Sequence, residues 1–219
     1  MVITSISALD LRRMLEFAGH KIVAQEAYLN SLDAALGDGD HGITMRLGFQ
    51  AIAASLSELD PKAGLDVIFR KAGMAFMGGT GGAIGVIFGK MLMSGAAPLH
   101  EVQQFGTREF RILLSEMELA VIITGKAKVG DKTILDAVHA ANQAMLDSDT
   151  QNLDLTSAVS KAARAAEKAA QDTAGMICRI GRASRLGART LGCPDPGAVS
   201  FGIILRAMAD CLAGAGCAA

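Results

Sequence analysis

The sequence predicts an all-α fold, on three observations. Of 219 residues, 51% are hydrophobic but only 4% are aromatic, and the Ala, Leu and Met that dominate suit packed helices better than the β-branched, aromatic faces of sheets. Apolar residues recur at spacings of three and four along most of the chain. Short clusters of Gly, Asp or Pro interrupt that pattern, as helix boundaries do.

About eight helices are expected, in a single domain spanning 1–219. The first, over 8–37, carries Leu29, Leu32 and Leu36 and stops at a glycine-rich stretch; the second, over 43–59, resumes after it. A third covers 64–76. Glycines 78–82 separate it from an apolar fourth helix over 83–95, which is followed by 107–124 and, after Gly130, by 131–147. The clearest pattern lies at 155–173, where Leu155, Ala158, Val159, Ala162, Ala166, Ala169 and Ala170 share one face, small enough for close packing. The last helix, 196–213, opens on Asp195 and Pro196, a good N-cap and first-turn pair.

Composition also excludes partners. A net charge of −1 gives no field to attract a polyanion, and no basic–aromatic alternation suggests nucleic acid. The apolar stretches Ala83–Met93 and Leu119–Ile123 are interrupted by Lys90 and Lys126, short of the roughly 20 residues of a membrane span. Met1–Asp10 lacks the basic, then apolar, layout of a signal peptide. A cytoplasmic protein, without membrane or nucleic-acid partners, is expected. Cys178, Cys193, Cys211 and Cys217 form no C-x-x-C pair, and free thiols are expected.

Three breaks hold more glycine and charge than a turn requires: 37–42 (Gly-Asp-Gly-Asp-His-Gly), 78–82 (Gly-Gly-Thr-Gly-Gly) and 193–197 (Cys-Pro-Asp-Pro-Gly). In the first, Asp38 and Asp40 follow Asp33 at a spacing that lets three carboxylates converge. Two such charges about 4 Å apart repel by roughly 4 kcal/mol at an effective dielectric near 20, a large fraction of the roughly 5–15 kcal/mol that holds a domain together. A hard cation would resolve the conflict, and magnesium, which takes few carboxylates and completes its shell with water and phosphate, fits best. The competing reading, that these aspartates cap the next helix and face water, suits one Asp better than three.

Two superficial matches fail. Gly37, Gly39 and Gly42 satisfy G-x-G-x-x-G but follow a helix rather than a strand. A calcium loop counted from Asp38 would need Glu where Phe49 stands. The Gly78–Gly82 break opens a helix, and amides unobstructed by Cβ atoms there make an anion site, although close helix packing would also explain glycines. It is no P-loop, because Ile84 and Met91 occupy positions needing Gly and Ser or Thr. Arg179, Arg182, Arg185 and Arg189 share a face, as a solvated stripe also would. His20, His100 and His139 lie in ordinary helical contexts, and no residue is assigned covalent catalysis.

Leu32 to Gly42 (Leu-Asp-Ala-Ala-Leu-Gly-Asp-Gly-Asp-His-Gly), Gly125-Lys126 with Gly130 to Asp136, and Gly181 to Gly187 with Asp195 to Ala198 together resemble the L subunits of dihydroxyacetone kinases, in order over nearly the whole chain. The resemblance implies an antiparallel eight-helix barrel, closed at one end, with ADP or ATP and two magnesium ions at the open rim. Asp33, Asp38 and Asp40 would hold the metals, and His41, Gly42, Ile43 and Thr44 would contact phosphates. Thr80 and Gly81 would line the phosphate side, Gly125 and Ile134 would flank the base, Arg182 would neutralise phosphate charge, and Asp195, Pro196 and Gly197 would close the pocket.

The resemblance also implies a partner: a separate K-type subunit that binds the keto-sugar, and, where ADP stays captive, an M-type phosphocarrier as donor. His41, where single-chain ATP-dependent relatives often have Cys, leans towards the phosphocarrier. Two departures stand out. The family's Gly-Gly-Ala-Ser-Gly loop reads Gly-Gly-Thr-Gly-Gly here, and Cys193 replaces a common histidine. Two other functions remain open, an ATP-dependent ketotetrose (erythrulose-type) kinase subunit and a nucleotide-sensing regulator that binds a transcription factor.

Overall fold

The computed structural model describes residues 3–215 and Cys217. Nine α-helices lie within them: α1 (Ala8–Ala24), α2 (Glu26–Ala34), α3 (His41–Ser57), α4 (Leu65–Gly79), α5 (Gly82–Ser94), α6 (Thr107–Gly125), α7 (Ile134–Thr150), α8 (Leu155–Asp172) and α9 (Pro196–Leu212). The fold is all-α, as the composition predicts. Its only sheet among the described residues is β1 (Ser5–Ile6) paired antiparallel with β2 (Phe105–Gly106).

The long first helix expected over 8–37 is two helices. Gln25 leaves the helical region (φ −107°, ψ 9°), although the apolar spacing runs through it unbroken. The kink leans α2 on the start of α3, where Arg46 pairs with Glu26 at 2.8 Å. Gly42 permits the approach, because a Cβ there would lie 2.2 Å from the Glu26 carbonyl oxygen.

From α3 to α9 each helix packs on the next, α9 packs on α1, and α1 packs on α3. Eight helices therefore close a ring, with α2 bracing one end. Short connections make neighbours in such a ring antiparallel. The α2–α3, α4–α5, α6–α7 and α8–α9 connections consequently share one end, and these are the segments 35–40, 80–81, 126–133 and 173–195. The opposite end carries the β1–β2 pairing, with Phe105 and Ile6 buried beneath it.

Every phenylalanine but Phe17 is buried, whereas Tyr28 is exposed. Phe76 packs edge-on to Phe49 and stacks on Phe88, while Phe105 stacks on Phe110. The cavity left among these rings and the methionines measures about 40 Å³. The small face expected on α8 is buried, with Ala163 in addition and Ala169 only partly covered. Asp154 caps α8 by accepting from the Ser157 amide at 3.0 Å.

Two details differ from the sequence reading. Gly82–Leu99 is long and apolar enough to cross a membrane by composition (mean hydropathy 1.4), yet it is divided between α5 and a 3-10 turn at Ala97–Leu99, and α5 packs between α4 and α6. Cys178 and Cys193 are free thiols, but Cys211 and Cys217 form a disulfide. The turn after α9 brings these two residues together, which counting cysteines along the chain does not show.

Candidate active site

The acidic stretch folds back over the end of α2. The Leu36 and Gly37 amides donate to the Asp33 carbonyl at 2.9 and 2.5 Å, and Gly39 turns the chain with φ +78°, a conformation glycine adopts without strain. The Gly39 and Asp40 amides then donate to Asp33 Oδ2 at 2.9 and 3.0 Å. Carboxylate oxygens of Asp33, Asp38 and Asp40 come within 4.8 Å of one another. Asp40 occupies the N-cap of α3, yet its side chain makes no capping bond. The capping alternative therefore fails for the residue best placed to cap.

The cluster's electrostatics match a cation site. Burial and the charges of Asp38 and Asp33 push the Asp40 carboxyl above its ordinary range. Asp38 is held low by Arg182, which donates to both its oxygens at 2.5 and 3.2 Å. An arginine thus supplies the positive charge beside these carboxylates. All the side-chain donors are hard oxygens, which suits magnesium better than zinc.

Beside the cluster opens a cavity of about 220 Å³. Asp33, His41, Ile134, Arg182, Asp195, Pro196 and Gly197 line it, so seven residues singled out from the sequence meet around one cavity. The same lining includes apolar side chains, Ile84, Ile87 and Phe88 of α5 with Ile180.

A model of the DAK2 domain matches residues 35–210. The chain belongs to the DAK2 domain family. It is 33% identical to the PEP-dependent dihydroxyacetone kinase, ADP-binding subunit DhaL, of Escherichia coli (strain K12), over 94% of this chain and 97% of that one. It is 35% identical to L-erythrulose kinase of Pectobacterium atrosepticum, but spans only 32% of that protein. The fold matches the dihydroxyacetone kinase of C. freundii, solved in complex with AMP-PNP and Mg2+, with a TM-score of 0.69 and 25% identity, covering 96% of this chain and 35% of that one.

The remaining residues singled out in this DAK2 domain do not line the cavity. Gly42 packs against Glu26, the Ile43 amide donates to Asn30 Oδ1 at 3.2 Å, and the Thr44 amide donates to the Asp40 carbonyl. The Thr80 hydroxyl donates back to the Phe76 carbonyl at 2.7 Å. Gly81 is the N-cap of α5, and Gly125 ends α6 beside Ile87. A Cβ at Gly78 or Gly81 would meet no atom within 4 Å, whereas one at Gly79 would lie 2.6 Å from Ala51 Cβ. Packing therefore explains the glycine at 79, while the backbone at 78 and 81 faces open space.

Several site residues were not singled out. Ile84, Ile87 and Phe88 form a helical stripe that reads as core. Asp136 is buried and its carboxylate accepts from the Gly130 and Thr133 amides at 2.5 and 2.8 Å, shaping the turn into α7. Asp195 caps α9 through the Ala198 amide at 2.8 Å, and burial pushes its carboxyl up to about 7. The Cys193 thiol donates to the Leu32 carbonyl at 3.5 Å.

His41 is 1% exposed and shares a 2.8 Å hydrogen bond with Ser200 Oγ. Burial lowers its pKa to about 4, so the imidazole is neutral at pH 7. An unfolded histidine titrates near 6.5, so between these values the unfolded chain binds the extra proton and stability falls as pH falls. The full shift corresponds to about 3 kcal/mol. Urea unfolding between about pH 7 and about pH 4.5 should therefore show a larger loss for the wild type than for His41→Gln, by roughly 2–3 kcal/mol. Equal losses in the two proteins would contradict the buried neutral histidine.

Proposed function

We propose that this chain, acting as one cytoplasmic domain, is the ADP- or ATP-binding half of a dihydroxyacetone or related keto-sugar kinase. One observation carries the reading: three carboxylates and an arginine converge beside a cavity that Ile84, Ile87 and Phe88 also line. The E. coli relative, an ADP-binding subunit matched over nearly its whole length, supports it.

In this reading Asp33, Asp38 and Asp40 hold magnesium, with two ions expected. Bound there, magnesium would supply positive charge against the phosphates during phosphoryl transfer. Arg182 contributes positive charge from the facing segment. The open amides around Gly81 and the start of α3 receive phosphates, with His41, Gly42, Ile43, Thr44 and Thr80 on that side. Ile134 and Gly125 flank the base together with Ile84 and Ile87, and Asp195, Pro196 and Gly197 close the pocket. Phosphoryl transfer is driven mainly by positioning and charge, so the chain needs no nucleophile of its own.

The sugar is held by a K-type subunit. An M-type phosphocarrier recharges the nucleotide if ADP stays bound, and a neutral buried His41 suits a captive nucleotide. The erythrulose kinase relative favours one second reading, an ATP-dependent ketotetrose kinase of the same architecture. Native mass analysis of gently purified chain separates the two. A retained ADP is expected on the phosphocarrier route, and an empty chain that exchanges ATP freely would favour the second reading.

A further inference from the structure

Lys132 belongs to the turn before α7 and is 1% exposed. Its backbone is left-handed, with φ +63°, a conformation that costs a residue bearing a Cβ and persists only where the surroundings enforce it. Its ammonium makes no salt bridge within 4.0 Å among the described residues. It donates instead to four main-chain carbonyls: Thr173 at 2.8 Å, Met176 at 3.2 Å, Thr190 at 2.7 Å and Cys193 at 2.6 Å.

These carbonyls fall in two groups, at the two ends of the segment that joins α8 to α9. The arch between them contains no α-helix. It turns at Gly181, Gly187 and Gly192, all with positive φ, and supplies Cys178, Ile180, Gly181 and Arg182 to the cavity wall. Its base is closed by the Gly192 amide on the Ala174 carbonyl (2.8 Å) and the Cys178 amide on Thr190 Oγ1 (3.0 Å). Beyond the base, Arg182 spans to Asp38 across an exposed gap. Lys132 itself lines the cavity, followed by Thr133 and Ile134.

Burying an ammonium away from water is costly, and burial does depress the Lys132 pKa. A leucine or methionine could fill the same volume without that cost. What the ammonium adds is direction, because its three protons fix two separate stretches of main chain about one point. We propose that Lys132 is a positioning residue for the site, clamping both ends of the 173–193 arch so that Arg182 and the cavity wall stay opposite the acidic loop. The ligand concerned rests on the nucleotide reading above; the clamp itself does not.

The test compares wild type, Lys132→Met and Lys132→Arg, at a temperature where far-ultraviolet circular dichroism shows native helix. Trypsin cleavage after Arg179, Arg182, Arg185 and Arg189, measured without nucleotide, should be roughly tenfold or more faster in Lys132→Met. Affinity for Mg·ADP should fall by roughly 10- to 100-fold. Lys132→Arg, whose planar fork cannot replace a compact ammonium among four carbonyls, should shift both readouts in the same direction and serves if the methionine variant does not fold. Wild-type cleavage and affinity in a folded variant, even one with a lowered melting temperature, would reduce Lys132 to a stabilising residue and overturn the proposal. If the wild type itself does not bind Mg·ADP, the nucleotide reading fails, while the cleavage comparison still decides the clamp.

Discussion

Asp38→Ala should weaken magnesium-dependent ADP binding by roughly 100-fold or more, since even losing an outer partner of a metal ligand typically costs about 10- to 100-fold. The substitution removes one of three carboxylates that lie within 4.8 Å of one another. It also frees Arg182, which is held by Asp38. The fold should survive. Asp38 is exposed and its ion pair bridges two surface segments, so the melting temperature should stay close to that of the wild type. Calorimetric titration of ADP with and without magnesium, beside a melting curve, reads both effects. Undiminished affinity would remove the metal cluster from the account.

Gly42→Ala should be damaging for a different reason. A Cβ at Gly42 would lie 2.2 Å from the Glu26 carbonyl oxygen and 2.8 Å from Asn30 Oδ1, so α2 and α3 must separate. Overpacking of this kind costs about 1–3 kcal/mol. The same displacement moves Asp33, on α2, away from Asp40 and His41, at the start of α3, and Mg·ADP affinity should fall with stability. Gly81→Ala is the matched control, since its Cβ enters open space, and its melting temperature should remain that of the wild type. A Gly42→Ala protein with wild-type stability would show that the two helices are not held in tight contact there.

These two positions also mark how far the sequence could be read. The acidic cluster was legible because three aspartates within eight residues, hemmed by glycines, have no economical explanation without a cation. The helices were legible from their apolar spacing, and the α9 start from Asp195 and Pro196. The kink at Gln25 was not, because the spacing of Ile22, Leu29 and Leu32 passes through it unchanged, and the contact that rewards the kink lies at Gly42, far along the chain. Ile84, Ile87 and Phe88 were hidden for the same reason: a stripe facing a ligand and a stripe facing a core have identical spacing. Lys132 was hidden by its company. A lysine between Asp131 and Thr133 reads as solvated, and its four carbonyl partners come from residues 41 to 61 positions away. Resemblance pointed to its stretch of chain without giving it a part to play.

The central claim is that this chain supplies nucleotide and metal while another protein supplies the sugar. Of its four histidines, His41 is buried against Ser200, His139 and His100 are paired with Glu118 and Asp66, and His20, on α1, does not line the cavity, so none is left free there to hold a sugar. The direct test incubates purified chain, magnesium and ATP with dihydroxyacetone or erythrulose, with and without a K-type subunit, and with a phosphocarrier where ADP is captive, and measures sugar phosphate. The account predicts none from the chain alone and sustained formation once the partner is present; rapid turnover by the chain alone would contradict it.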